Sequence, residues 1–176
     1  MAEPPDYLQK VAEVVEALRR LALEPVLVGG MALVILGSRR VTRDFDFVVA
    51  RPGDRLTSVV DACYDHGLRL ASSLDEAGNV TSTIDKRKVA AIRLRLDAPV
   101  TAYFYDPGTA LRIDLLFDFP LPAADLFRRA TRVTIRTHSF VMASEEDLLQ
   151  LKRIAAAARA VPGDADDIAF LQARRQ

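Results

Sequence analysis

Three aspartates stand out for the chemistry their spacing allows. Asp44 and Asp46 alternate with Phe45 and Phe47 in Asp44-Phe-Asp-Phe-Val-Val49. Residues two apart on a strand share a face, so both carboxylates would project together while the phenylalanines face a core and hold the register. Two carboxylates held side by side repel unless a cation lies between them, and their hard oxygens suit Mg²⁺. The bland alternative is a solvated acidic strand face, salt-bridged to Arg40 and Arg43. Asp114 sits in the middle of Leu111-Arg-Ile-Asp-Leu-Leu-Phe117, a stretch apolar almost throughout. An unpaired buried carboxylate is costly, so Asp114 requires a partner, either Arg112 or Arg93 or a metal. If its strand lies beside the Asp44 strand, three carboxylates converge. That geometry suits two metals roughly 3.5–4 Å apart, clamping an in-line attack on phosphorus. Asp118, expected on the same side of the strand, ranks second for the role of Asp114.

A phosphate site is also legible. Val26-Leu-Val28 reads as a short strand running into Gly29-Gly30 and then a helix. Paired glycines let the backbone turn sharply and leave the first helical N–H groups open to an anion such as a triphosphate. Lys152 falls on the helix face lined by Leu148 and Ala155, where a cation requires an anion: a nucleotide phosphate, or Asp167 of the last helix. Arg159, seven residues on, shares that face. The spacing Val28-Gly-Gly-Met-Ala lacks the Gly-x-Gly-x-x-Gly pattern of dinucleotide binders.

The elements that must carry these residues follow from periodicity. Asp6 caps a helix through about Ala22, with Leu8, Val11, Val14, Val15, Leu18 and Leu21 on one stripe. Met31–Leu36, apolar all round, reads as a buried helix ended by Gly37. Pro52-Gly53 breaks the Asp44 strand, and Asp54 caps a helix to about Asp65, closed by Gly67. Strands are expected over 68–74, 89–95, 99–105 and 110–117, with turn chemistry at 75–79 and at Asp106-Pro-Gly108. A short helix over 121–130 precedes a hairpin over 131–142. Ser144 with Asp147 marks a capping-box helix start, and that helix runs to about Ala160; a last helix covers roughly 164–174. Strands in the middle and helices at both ends predict an α+β fold: a mixed sheet flanked by helices, with a C-terminal helical segment. The expected division is a core over 1–143 and a helical segment over 144–176 packed on it as one structural unit.

Composition narrows the function classes. The 176 residues carry 24 Lys+Arg against 24 Asp+Glu, so charge alone does not call for a nucleic acid or a membrane. The longest apolar run is too short to span a bilayer, and Met1 to Tyr7 lacks the pattern of a signal peptide; a soluble, cytoplasmic protein is expected. One cysteine, Cys63, excludes an internal disulfide and Cys-rich zinc sites. Cys63 reads as core, His66 as a helix-end cation and His138 as a hairpin tip. Five arginines against three acids between Arg39 and Arg55 could serve an RNA acceptor, although an Asp-paired solvated loop explains them as well.

Gly29-Gly30-x-Ala32, Gly37, Arg40-x-Thr42-x-Asp44-x-Asp46 and Ile113-Asp114-Leu-Leu resemble the nucleotidyltransferase superfamily of the DNA polymerase β type. Glu146-Asp-Leu148, Lys152 and Arg159 are similar in order to the tail of small bacterial abortive-infection (AbiEii-like) toxin nucleotidyltransferases. The resemblance covers roughly residues 26–49, 111–117 and 144–168. It implies transfer of a nucleoside monophosphate from an NTP donor to an acceptor hydroxyl, with two Mg²⁺ ions for which Mn²⁺ can substitute. It further implies that Asp44 and Asp46 hold the metals and triphosphate, and that Asp114 binds the catalytic metal and takes the acceptor's proton. Gly29, Gly30, Arg40, Thr42 and Lys152 would bind nucleotide. The acceptor stays open among a tRNA end, a protein and a small molecule, and the toxin analogy implies an antitoxin partner. Two departures stand: the second glycine replaces a serine common in the superfamily, and the 160–163 spacer is long, leaving Asp164, Asp166 and Asp167 without roles. A non-catalytic nucleotide- or partner-binding module on the same fold is the alternative.

Overall fold

Eight strands organise the computed structural model, which describes residues 6–159 and 161–176. They are β1 (Val26–Val28), β2 (Asp44–Val49), β3 (Arg69–Leu74), β4 (Val80–Thr83), β5 (Thr101–Tyr105), β6 (Arg112–Phe117), β7 (Thr131–Ile135) and β8 (His138–Met142). One mixed sheet results, in the order β4-β3-β5-β6-β2-β1-β8-β7. Only the β1–β8 and β2–β6 pairs are parallel. Seven helices accompany it: α1 (Tyr7–Arg20), α2 (Gly29–Ile35), α3 (Leu56–Asp65), α4 (Arg87–Asp97), α5 (Ala123–Arg129), α6 (Glu145–Ala158) and α7 (Pro162–Arg174). The α+β class and the mixed sheet expected from the element pattern are what the chain forms. Residues 1–5, read above for their lack of a signal-peptide pattern, and Ala160, the expected helix end, lie outside the described residues. Among the described residues no helix is long and apolar enough to cross a membrane.

The alternation in β2 works as its residue types require. Phe45 and Phe47 are buried, as are Ile113 and Leu115 of the adjoining β6 and Phe104 of β5. Burying a phenylalanine contributes on the order of 1.5–3 kcal/mol, so this apolar face fixes which way the aspartates point. β2 lies between β1 and β6, with neighbours on both edges. α1 buries Val11, Val14, Val15 and Leu18, and Asp6 caps it by accepting from Gln9 N. In α6 the Ser144 side chain accepts from Asp147 N. The Asp147 carboxylate does not close the capping box but accepts from Arg129 Nε and Nη2 at 2.9 and 3.0 Å.

The middle of the chain departs from expectation. The strand expected over 89–95 is the helix α4. Ala90, Ala91 and Leu94 are buried at helical spacing, whereas Val89 and Ile92, which made the stretch look strand-like, are exposed. The strand β4 was hidden by its polar sequence Val-Thr-Ser-Thr, which pairs with β3. Asp54 lies within a single 3₁₀ turn, Gly53–Arg55, rather than capping α3. α2 buries one face only, Gly30, Ala32 and Leu33. Cys63 is fully buried in the core, where burial pushes its thiol pKa well up.

Candidate active site

The β2–β6 register brings the three aspartates together. Asp46 lies directly opposite Asp114, and Asp44 opposite Arg112. Because residues two apart share a face, Asp44, Asp46, Arg112 and Asp114 all project to one side. Across the β5–β6 pairing Tyr103 lies opposite Asp114, and Thr101 opposite Leu116. The face so formed is the floor of a cavity of about 430 Å³. Its other walls come from Gly29 and Gly30, from Arg40 and Thr42, and from α6, which contributes Leu151, Lys152, Ile154 and Ala155.

The carboxylates are not neutralised equally. Asp114 is buried and accepts from Arg112 Nε at 2.7 Å. Arg112 is itself tied down: Nη1 donates to the Gly78 carbonyl at 2.7 Å and the guanidinium stacks 4.5 Å over the Tyr103 ring. Even so, burial pushes the Asp114 carboxyl up to about 8, against the pull of the Arg112 hydrogen bond and with help from the Asp46 charge. Burial also raises Asp46, which shares a hydrogen bond with Asp114. The pair therefore holds a proton at neutral pH. Of the two arginines foreseen as partners for Asp114, Arg112 is the one found; Arg93 faces Asp97 instead.

The glycine turn is built around Asp46. Gly29 adopts φ +72°, and a Cβ there would stand 2.2 Å from Asp46 Oδ2. Only glycine admits both that backbone and that approach. A Cβ on Gly30 would stand 2.8 Å from Arg40 Cζ, so this guanidinium lies against the turn. Thr42 Oγ1 accepts from Asp44 N at 3.2 Å, setting the entry to β2.

The cations of the cavity are held by the last helix. Lys152 Nζ stands 2.8 Å from Asp167 Oδ2 and 3.8 Å from Asp164 Oδ1. Arg40 Nη1 donates to the same Asp167 oxygen, and Arg159 pairs with Asp164. Arg40 therefore does not neutralise the Asp44–Asp46 pair. Asp164 and Asp167 are both buried, so Lys152 finds the carboxylate alternative offered above, and Asp164 gains a partner in Arg159. Asp118 is removed as an alternative to Asp114: it lies past the end of β6, at φ +49°, where its carboxylate accepts from Arg51 N and Ala123 N.

Hard oxygen donors without a cation on Asp46 fit a divalent metal in kind. Among the described residues, however, no three acid, His or Cys side chains enclose an ion as they stand. The Arg112 guanidinium occupies one side of Asp114 instead. Tyr103 and Thr101 were not singled out from the sequence. Their alternation in Thr101-Ala-Tyr-Phe-Tyr105 shows that they share a face, but only the pairing to β6 shows that this face is the one bearing Asp114.

No protein-family model matches the chain, and no curated protein matches it in sequence. Solved structures do match in shape. ANT(2″)-Ia in complex with adenylyl-2″-tobramycin is 13% identical over 98% of this chain and 91% of its own, with a TM-score of 0.60. The lincosamide antibiotic adenylyltransferase LnuA, lincomycin-bound, is 11% identical over 93% and 95%, with a TM-score of 0.57. An antigenic nucleotidyltransferase-like protein from Paracoccidioides brasiliensis is 17% identical over 92% and 74%, with a TM-score of 0.55. The sheet order, the glycine turn and the strand bearing Asp44 and Asp46 thus sit in a chain with the fold of the nucleotidyltransferases.

Proposed function

We infer that the protein transfers a nucleoside monophosphate from an NTP to an acceptor hydroxyl and releases pyrophosphate. The observation that carries this is the meeting of Asp44, Asp46 and Asp114 on one sheet face, in a cavity that Gly29, Gly30, Arg40 and Lys152 also line. In this reading Asp44 and Asp46 hold Mg²⁺ with the triphosphate, and Asp114 completes the metal set. When bound, Mg²⁺ supplies neutralisation of the carboxylates and polarisation of the α-phosphate, with Mn²⁺ able to replace it. Gly29 and Gly30 offer backbone N–H groups, and Arg40, Thr42 and Lys152 line the phosphate side. The acceptor oxygen forms a bond to the α-phosphorus as the bond from that phosphorus to the pyrophosphate oxygen breaks. With the metal bound the Asp114 carboxylate would be ionised, and the proton of the acceptor passes to it; Tyr103 is its neighbour across the β5–β6 pairing.

Residues 1–143 and 144–176 act together in this reading, because α6 supplies a wall of the cavity. Two similar structures bear lincomycin and adenylyl-2″-tobramycin, which favours a small-molecule acceptor here. Kinship with the abortive-infection group rests on the tail residues Glu146, Lys152 and Arg159; an RNA acceptor, a toxin role and an antitoxin partner belong to that kinship. A cytoplasmic setting, with NTP at hand, completes the proposal.

The test is a melting panel of the four NTPs with Mg²⁺ or with EDTA, followed by incubation with labelled NTP. At least one NTP is expected to raise the melting temperature only when metal is present, since the carboxylates repel a triphosphate until neutralised. An equal shift in EDTA would remove the metal from the proposal. No transferred label under any Mg²⁺ or Mn²⁺ condition would favour a binding module over an enzyme.

A further inference from the structure

The cavity has two chemically different halves. Arg40 lies against Gly30 on the β1 side, where Arg40, Lys152 and Arg159 make three cations around the two buried carboxylates Asp164 and Asp167, an excess of one that a phosphate can answer. The sheet order puts β5, with Thr101 and Tyr103, on the far side of β6 from β1 and its Gly29-Gly30 turn, and Leu116 of β6, Phe119 just past that strand and Ile154 of α6 line the cavity as well. This second half contains hydroxyls, aromatic rings and aliphatic chains. Its one neighbouring cation among the described residues, Arg112, is held by Asp114 and the Gly78 carbonyl and lies over the Tyr103 ring. Asp118, the nearest further acid in sequence, is spent on two backbone amides.

Charge complementarity then limits what can lie there. A polyamine acceptor requires carboxylates beyond those that hold the metal, and the second half supplies none. A nucleic-acid strand requires cations spaced along its phosphates, and these too are missing from this half. What the half does offer is apolar surface left open: Phe119 is 43% and Ile154 36% exposed. Large apolar side chains exposed inside a concave site mark a place where a ligand excludes water.

We propose that the acceptor is an uncharged small molecule carrying both a hydroxyl and an apolar group, seated between Tyr103 and Leu116 of the sheet and Phe119 and Ile154 above it. The proposal rests on the nucleotidyl-transfer reading for the identity of the reacting hydroxyl, not for the binding itself. The apolar part lies on Phe119, Leu116 and Ile154, and this seating turns the hydroxyl toward Asp114, directly opposite Tyr103. There it loses its proton to the Asp114 carboxylate as its oxygen joins the α-phosphorus and pyrophosphate departs.

The test separates acceptor binding from donor chemistry. Saturation-transfer NMR is run on the whole chain without nucleotide. The probes are uncharged hydroxyl compounds bearing an aryl or alkyl group, with phenyl and hexyl β-glucosides among them; the comparison arms are glucose, kanamycin and unfractionated tRNA. Signal is expected from compounds bearing the apolar group and not from the comparison arms. Phe119→Ala should weaken that binding about tenfold, and Ile154→Ser likewise, with the Mg-NTP melting shift kept in both. Binding confined to kanamycin or tRNA, or no binding by any uncharged compound, overturns the proposal. So does glucoside binding that neither variant weakens. Glucoside binding without any Mg-NTP shift would uphold this site and strike the donor reading instead.

Discussion

Asp46 leans its Oδ2 into the space that a side chain on Gly29 would fill, 2.2 Å from the position of a Cβ. The glycine turn and the acidic strand therefore fit together, and a side chain at Gly29 would displace the Asp46 carboxylate. Gly29 also holds φ +72°. Gly29→Ala is expected to cost about 1–3 kcal/mol of stability for the backbone strain alone and to displace the Asp46 carboxylate. Urea unfolding reads the first effect and the Mg-NTP melting shift the second. A variant as stable as the parent, with its Mg-NTP shift intact, would break the link between the two residues.

Asp114→Asn separates the acceptor's base from the donor's metal. Transfer should fall by about 10²–10⁴ while much of the Mg-NTP melting shift stays, because Asp44 and Asp46 remain. Equal loss of binding and transfer would count against that division of roles.

Among the described residues Asp46 forms no ion pair with a cation, and Arg40 is committed to Asp167. Asp46→Asn removes like charge beside Asp114 while keeping an oxygen that can accept from it. Melting in EDTA should show a change between neutral and about 2 kcal/mol stabilising, and the Mg²⁺-dependent shift should vanish. A clear drop in metal-free stability would mean that a cation had been stranded.

The raised Asp114 pKa sets a pH dependence with a definite sign. Its carboxyl has an ordinary value of 3.8 and stands at about 8 in the folded protein. Between these values the native chain holds a proton that the unfolded chain has released, so the metal-free protein loses stability as pH rises through this window and levels off above it. Below the lower value both states are protonated and the contribution is fully present. Denaturant midpoints in EDTA from pH 4 to 9 should show the decline, and Asp114→Asn should flatten it.

Asp167 serves two cations at once. Removing it leaves Lys152, mostly buried, and Arg40 without their shared acceptor. Asp167→Ala should destabilise by roughly 1–3 kcal/mol, in line with the cost of leaving buried polar groups unsatisfied, as chemical unfolding would show. An unchanged midpoint would mean that the pairing is a solvated surface contact.

The site was legible where chemistry and local pattern coincide. Asp44 and Asp46 read as a pair because alternation with phenylalanine puts them on one face, and Asp114 read as a third because an acid interrupts an apolar strand. What escaped was set by residues distant in sequence. Arg40 looks toward Asp44 along the chain, yet its carboxylate is Asp167, 127 residues away. Asp118 follows the period of β6 on paper, but the strand ends at Phe117 and the chain turns with positive φ. The stretch 89–95 alternates like a strand because arginines separate its last apolar residues, while the buried set Ala90, Ala91 and Leu94 obeys a helical period. Two small residues weigh little in a hydrophobic pattern and much in close packing against α3.

The pairing of Asp46 with Asp114 joins two strands that are parallel neighbours yet far apart in the chain. Such a non-local contact requires a long loop to be closed first. Until β6 docks on β2, Asp114 is an ordinary ionised carboxylate; afterwards burial raises both Asp46 and Asp114 and favours a proton shared by the pair. Refolding of the metal-free chain near pH 7 therefore takes up about one proton from solvent at that docking step. A pH-indicator dye in weakly buffered stopped flow would time the closure of the central strand pair without any label on the protein.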